Sequence, residues 1–422
     1  MKTVVIGGGV VGVTTAYYLA VQGHEVTVVE QNEELGQDAT GGNAGLIAPS
    51  HSFAWASPQA PKMLLRSLRG EATAIRVKLS ADPRFLWWGI QFMRECTTGR
   101  AQANTVVKLA LAQYSQRELY RLAETESIDY DAVQRGLVYL YRDEHELEVG
   151  LARMQLLAEH GQQIDRLSPK DLVALDPAFK NAAEVVHGAI HGVSDGSGNS
   201  EKFTLGIAQV CSEKYGVTFR RGVSARRMVE HHGRITHLVT DQGDLSADTF
   251  VLAMGIQSPI ISRTIGQRLP VYPAKGFSLT VPVADEAATP IIGGVDEKSL
   301  VAWSRLGDNL RMSSTAQFDG YDRSYRPSDF DNIFTTAKEL FPNAADWNQA
   351  TLRSCMRPMT PDGPPIIGRG PKHENLYYNT GHGHMGWTMA CGSSLILADI
   401  VAGRPTALDP KPFVVRTHRK WR

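Results

Sequence analysis

Apolar residues first gather in a short run, Val4-Val5-Ile6, bounded by glycine and reading as a buried β-strand. Glycine then takes over in Gly7-Gly8-Gly9-Val10-Val11-Gly12. Val13 to Gln22 carries Ala16, Leu19 and Ala20 at helical spacing, and Gly23 ends that helix. Glu25-Val26-Thr27-Val28-Val29 reads as a second strand. Asp82 to Cys96 spaces Phe85, Leu86, Trp87, Trp88, Ile90, Phe92 and Met93 like a helix. That helix fits a core element, a membrane-contact element or a docking surface for a redox partner, and aromatic content favours the core. Residues 104–126 have the pattern of a long amphipathic helix.

From Val133 the texture turns to β-branched and aromatic residues, with Leu137 to Tyr141 as a strand. Helices are expected over 143–160, from Ser168 with Pro169 at its first position, and over 201–215. Strands are expected at Val185–Val193, at 217–219, around the Gly233 and Gly243 turns, and at Phe250 to Gly255. A second β-rich stretch covers 270–280, 300–304 and 309–313, followed by a helix over 328–340. Leu376 to Asn379 is a strand that runs into Thr380-Gly381-His382-Gly383-His384-Met385-Gly386-Trp387-Thr388 and a small-residue helix ending near Val401. The fold class is α/β, with one unit interleaved in the other.

The first 30 residues carry specific chemistry. Gly7, Gly9 and Gly12 satisfy G-x-G-x-x-G between a strand and a helix, and Glu30 ends the next strand. Such glycines permit a tight turn and close approach to a pyrophosphate, and the helix N-terminus favours its charge. An acid in the place of Glu30 accepts hydrogen bonds from ribose hydroxyls and repels a 2′-phosphate. That favours the adenosine half of FAD or NAD over NADP. The small-residue stretch Gly36 to Gly45 reads either as a solvent loop or as backbone pressed against a flat ligand, its place just after the nucleotide-binding unit favouring the ligand, with Asn43 available to a ring edge. Phe250 to Gly255 reads as a strand returning to the central parallel sheet. Arg357-Pro358-Met359-Thr360-Pro361-Asp362-Gly363 reads as a stiff, turn-rich segment, in which Arg357 is either held for bidentate capture of a carboxylate or is a surface arginine in a structural loop. The second glycine-rich strand-to-helix junction, at 380–388, suits negative charge on a reduced flavin.

Composition removes several classes. With 44 basic and 44 acidic residues among 422, no global field points to nucleic acid. Cys96, Cys211, Cys355 and Cys391 are widely spaced, which suggests a reducing compartment and no zinc. His382 and His384 lack a third ligand nearby, so no metal is expected. No apolar run reaches membrane-spanning length, and the N-terminal strand is not a signal peptide. A cytoplasmic location is expected. The basic, aromatic-ended tail Lys411 to Arg422 offers peripheral contact with the inner face of the inner membrane, against the plainer reading of a solvated terminus.

The Ile6–Gly12 unit, Asn43-Ala44-Gly45, Val271-Tyr272-Pro273-Ala274-Lys275-Gly276, the Arg357–Gly363 segment and Gly381-His382-Gly383-x-x-Gly386-Trp387 together resemble the D-amino-acid oxidase superfamily of FAD enzymes, and within it the bacterial D-amino-acid dehydrogenases. The resemblance spans nearly the whole chain. It implies a Rossmann-type FAD-binding domain (1–85, 200–268, 345–422), of the glutathione-reductase-like type, interleaved with a β-sheet-rich substrate domain (86–199, 269–344). It implies noncovalent FAD held by Gly7, Gly8, Gly9, Val10, Val11, Gly12, Glu30, Gln31, Thr40, Asn43, Ala44, Gly45, Leu46, Val223, Ala253, Gly255, Gly381, Gly383, Met385, Gly386, Trp387 and Thr388. Arg357 would hold the substrate carboxylate, Tyr272 assist, Lys275 lie near the flavin, and His382 and His384 join the substrate site. The implied reaction is oxidative deamination of a D-amino acid by hydride transfer to flavin N5, giving a 2-oxo acid and ammonia, with electrons passed to a quinone or other respiratory acceptor. Related amine substrates (D-proline, hydroxyproline, sarcosine, glycine) and a non-catalytic flavin-binding subunit remain alternatives.

Overall fold

A computed structural model describes residues 1–68, 75–78 and 80–415. Two sheets organise it. The smaller has six strands in the order Ile366–Arg369, Leu376–Thr380, Thr249–Leu252, β1 (Lys2–Ile6), β2 (Glu25–Val29) and Thr218–Arg220. All its pairs are parallel except the edge pair of Ile366–Arg369 with Leu376–Thr380. Strands covered on both faces read as near-continuous apolar runs. Val4, Val5, Phe250 and Val251 are buried accordingly.

Helix α1 (Val10–Val21) connects β1 to β2 and packs against the C-terminal helix Gly386–Val401. The small residues at that contact permit close approach. Thr14, Thr15 and Asn379 all bond the Ser394 hydroxyl, and the Gly392 amide donates to Ser115 on α4 (Thr98–Thr125) across 2.9 Å. Helix α1 begins three residues earlier than its apolar spacing predicts. Gly12 lies inside its first turn, because a Cβ there would run into the Gly7 carbonyl oxygen.

The larger sheet has nine strands, mostly antiparallel. Thr351–Met359 lies at one edge and pairs with Tyr272–Pro282 from Tyr272–Met359 to Thr280–Thr351. The segment expected to be turn-rich from Arg357 is therefore strand as far as Met359. Pro358 is tolerated because the strand is an edge, where a missing N–H breaks no central ladder. Strand pairing also differs from the division expected from sequence. Ile75–Val77 and Thr351–Met359 join the larger sheet.

Helix α3 (Pro83–Glu95) is capped by Asp82, whose side chain accepts from the Arg84 amide. Its Phe85, Trp88 and Phe92 pack toward Tyr272 and Phe318, as a core helix should. Its other apolar residues, Leu86, Ile90 and Met93, are exposed. Helix α2 (Ala60–Leu68) precedes it, and α5 (Glu144–Ala158) packs against α4 and the larger sheet. Among the described residues no helix is long and apolar enough to cross a membrane. Of the basic tail, Phe413 and Val415 are buried, and 416–422 lie outside the described residues.

Candidate active site

A cavity of about 1730 Å³ runs from the N-terminal glycines to the underside of the larger sheet. Its wall includes Gly7, Gly9, Val10, Val11, Glu30, Gln31, Thr40, Asn43, Ala44, Leu46, Val223, Ala253 and Gly255. It continues past His382, Gly383, His384, Met385, Gly386, Trp387 and Thr388 and reaches Met356 and Arg357. Four expected cofactor residues, Gly8, Gly12, Gly45 and Gly381, support the wall from behind. The Gly8 amide donates to Glu30 Oε2 across 2.7 Å, and Gly381 takes a positive φ of 81° at the second junction.

The donor set fits a dinucleotide. Gly7, at φ 116°, approaches Ala253 so closely that a Cβ would lie 2.5 Å from its carbonyl oxygen. Gly9 caps α1 without a side chain in the way. Glu30 accepts from Gly8, from the Asn32 amide at 2.9 Å and from Asn32 Nδ2 at 2.8 Å. Burial, against those bonds, raises its carboxyl above the usual range. Asn43 differs from expectation. Its amide nitrogen donates to the Thr40 carbonyl and to Ser200 Oγ, each at 2.6 Å, while its oxygen accepts from the Gly45 amide. Its side chain shapes the loop.

At the other end stands Arg357. Burial lowers its guanidinium from the ordinary arginine range. The group lies across Gly276 on the neighbouring strand, where a Cβ would fall 2.5 Å from Nη1 and 2.6 Å from Cζ. Glycine here keeps open the space the guanidinium occupies. Gly276→Ala is expected to raise KM for a carboxylate substrate by about 10- to 100-fold, the weight of a displaced charge-assisted hydrogen bond. Flavin content should stay at the wild-type value. Steady-state kinetics beside flavin absorbance checks this, and an unchanged KM would reject the positioning role.

Tyr272 and Lys275 do not line the cavity, contrary to expectation. Lys275 Nζ pairs with Asp319 at 2.8 Å, both side chains being nearly inaccessible, and donates to the Ser324 carbonyl. A buried ammonium requires such a partner. Tyr272 is 1 % exposed and packs on Phe85, Trp88 and Tyr321. His382 is also occupied, its Nε2 lying 3.0 Å from Ser393 Oγ. Burial pushes His382 down to about 3. His384 is different. It stacks on Trp55 with ring centroids 5.0 Å apart and meets His51 edge-on at 5.5 Å. Burial first, then the charges of Lys108, His51 and Arg357, hold it well below the usual imidazole range.

Sequence reasoning missed His51, Trp55, Lys108 and Arg153. Lys108 alone had a signal, a cation on the buried stripe of α4 that also carries Thr105, Leu111 and Ala112. Its Nζ donates to the Phe53 carbonyl across 2.9 Å, and burial lowers it to about 7. Arg153 reaches from α5 to lie over the Phe53 ring, 3.9 Å from its centroid.

Beneath His51, which stacks on Tyr139, lies the fully buried Asp195. Its carboxyl accepts from Tyr139 Oη at 2.9 Å, the Ser50 amide at 3.1 Å and Gln162 Nε2 at 3.2 Å. Burial outweighs those bonds and pushes it up to about 7. The folded state then keeps a proton that the unfolded chain releases near pH 4. Stability contributed by this proton is present at low pH and lost as pH rises toward 7. Asp195→Asn should remove that slope, worth about 4 kcal/mol across the window. Urea midpoints of both proteins from pH 4 to 8 test it, and parallel curves would refute it.

These features define a flavin-dependent oxidoreductase, and the chain belongs to the FAD dependent oxidoreductase family, whose model matches residues 2–400. D-amino acid dehydrogenase 2 of Mesorhizobium japonicum is 43% identical over 414 residues, covering 98% of this chain and 99% of that one. D-amino acid dehydrogenase of Paramagnetospirillum magneticum is 39% identical over 410 residues, 97% of each. In fold, glycine oxidase from Geobacillus kaustophilus superposes with a TM-score of 0.76 at 22% identity, over 99% of each chain. L-proline dehydrogenase from P. horikoshii gives 0.73 at 18%, over 98% of this chain and 96% of that one.

Proposed function

We propose that this protein is a D-amino-acid dehydrogenase, converting D-amino acids to 2-oxo acids and ammonia and passing the electrons to a quinone or another respiratory acceptor. The carrying observation is Arg357, half-buried on the wall of the same cavity that begins at the dinucleotide cradle. FAD, when bound, supplies the two-electron acceptor for the α-hydrogen. The residues that would hold it are the glycines of the first motif, Glu30, the 40–46 loop and the 383–388 junction.

The chain's own part is orientation. Arg357 holds the α-carboxylate, and Gly276 makes room for its guanidinium. Trp55 and His384 form a flat wall beside it. His51, pushed down to about 3 by burial, and His384 stay neutral and are too weakly basic to keep a proton at neutral pH. The substrate amine therefore loses its proton to solvent, and activity rises with pH through the amine pKa in the complex. Tyr272 and Lys275 act from behind the wall by holding their strand in place. Electron delivery to a lipid-soluble acceptor makes peripheral contact with the inner face of the inner membrane part of this reading.

Anaerobic mixing of the yellow protein with D- and L-amino acids tests it. Bleaching of the flavin band by several D forms but not their L forms, with slow recovery in air, is the expected result. Bleaching by proline-like, N-methyl or glycine substrates alone would replace this reading with a related amine dehydrogenase. No bleaching at all would leave a flavin-binding subunit without turnover.

A further inference from the structure

We propose that the exposed apolar stripe of α3, together with the adjoining face of α2, docks on the surface of an anionic lipid bilayer and sets the mouth of the cavity against it. The proposal deepens the reading above, because it gives a lipid-soluble acceptor its route to the flavin, but docking itself does not depend on turnover.

Leu86, Ile90 and Met93 are 53, 57 and 44 % exposed and follow one another at i, i+4 and i+7 on α3. They form a stripe separate from Phe85, Trp88 and Phe92, which already fill the core. On α2, Leu65 is 49 % exposed, with Lys62 and Arg66 on the surface beside it. Leu86, Ile90, Met93 and Arg94 also line the cavity, as do Met63, Leu64 and Arg66 of α2. The cavity therefore reaches the surface between these two helices, and its rim is apolar. Contiguous exposed apolar residues on amphipathic helices mark an interaction surface.

Charge selects the occupant. Between positions 58 and 100 the sequence has eight Lys or Arg against three acids, Glu71, Asp82 and Glu95. Two of those acids are matched locally, Asp82 by Arg84 at 3.0 Å and Glu95 by Arg100 at 3.2 Å. The rest of the chain holds the other 36 of 44 basic and 41 of 44 acidic residues, so it is net acidic. A neutral protein thus carries a net positive pole in the segment that builds the apolar rim, where Lys62, Arg66 and Arg94 stand on α2 and α3 and Arg76 is matched by Asp329 at 3.4 Å. An anionic membrane attracts that pole and repels the remainder, which fixes the orientation. Each basic side chain near such a surface raises affinity by about fivefold at low salt.

Full-length protein is sedimented with vesicles of phosphatidylcholine alone or mixed with phosphatidylglycerol, beside a Leu86→Ser/Ile90→Ser/Met93→Ser variant. The expected result is binding to the anionic vesicles only, weakened at least tenfold by the triple substitution and at least tenfold by 0.5 M salt, on the order expected for screened surface charge. The urea midpoint and circular dichroism spectrum of the variant should match wild type, which shows that it is folded. Equal binding by variant and wild type, or no binding by wild type, would overturn the proposal. So would loss of binding only on truncation after Val415, which would assign contact to the tail. A solution dimer that the triple variant dissociates would assign the stripe to a second copy of the chain. If neither protein turns over, the catalytic reading fails and the vesicle result still decides docking.

Discussion

Arg357→Ala is expected to lower kcat/KM for D-amino acids by about 10³-fold while the purified protein stays yellow. The magnitude follows from removing one partner of a buried charge pair, about 3–5 kcal/mol. Arg357 contacts the cavity where the larger sheet closes over it, distant in the chain from the first glycine motif. Flavin content and substrate affinity should therefore separate in this variant. Lysine at 357 should recover only part of the loss, because a point charge does not reproduce a planar fork. Steady-state kinetics and the flavin spectrum of both variants give the test. A kcat/KM within threefold of wild type would place the carboxylate elsewhere.

Gly12→Ala is expected to produce the opposite separation, a protein that folds but retains less than a tenth of its flavin. A methyl group at position 12 meets the Gly7 carbonyl oxygen inside a contact with no slack, so α1 must move off β1. Close approach of that helix to the strand is what sets Gly9 and Val10 on the cavity wall, where the Val10 amide donates to Thr40 Oγ1 across 3.0 Å. The displaced cradle costs cofactor affinity first. Overpacking of this kind also destabilises by about 1–3 kcal/mol. The ratio of flavin to protein absorbance, measured with a urea midpoint, reads both. Full flavin stoichiometry in Gly12→Ala would show that the helix start can relax without consequence.

The two variants mark what could be anticipated from residues alone. The glycine-rich strand–helix–strand unit was readable because every part of it is local. Strand, glycines, helix, strand and Glu30 all fall within 30 residues, and each residue type is forced by backbone geometry or by hydrogen bonding. Long periodic elements such as α4 and the C-terminal helix were readable for the same reason. The importance of Arg357 came from resemblance and from its proline-rich neighbourhood, and its strand conformation was hidden there. Pairing with Tyr272–Pro282, about 80 positions earlier, overrides the turn propensity of Pro358.

Other features had no local trace. Lys275 pairs with Asp319, so its charge is neutralised away from the cavity wall. Asn43 is consumed by Thr40, Ser200 and Gly45. His51, Trp55 and His384 form one cluster from segments more than 300 residues apart. The apolar content of α3 was visible, but its division into a buried and an exposed stripe depends on what packs against each side.

By itself, then, the sequence determined the α/β class, the glycine-rich turn between β1 and α1 and most of the helix and strand order, because backbone conformation and hydrophobic period act over a few residues at a time. Tertiary structure alone decided which charged and aromatic side chains reach the cavity, which are neutralised behind it, and where the cavity opens. Those outcomes depend on burial and on partners supplied by distant segments, and the energy of a buried charge is set by its surroundings and not by its neighbours in the chain.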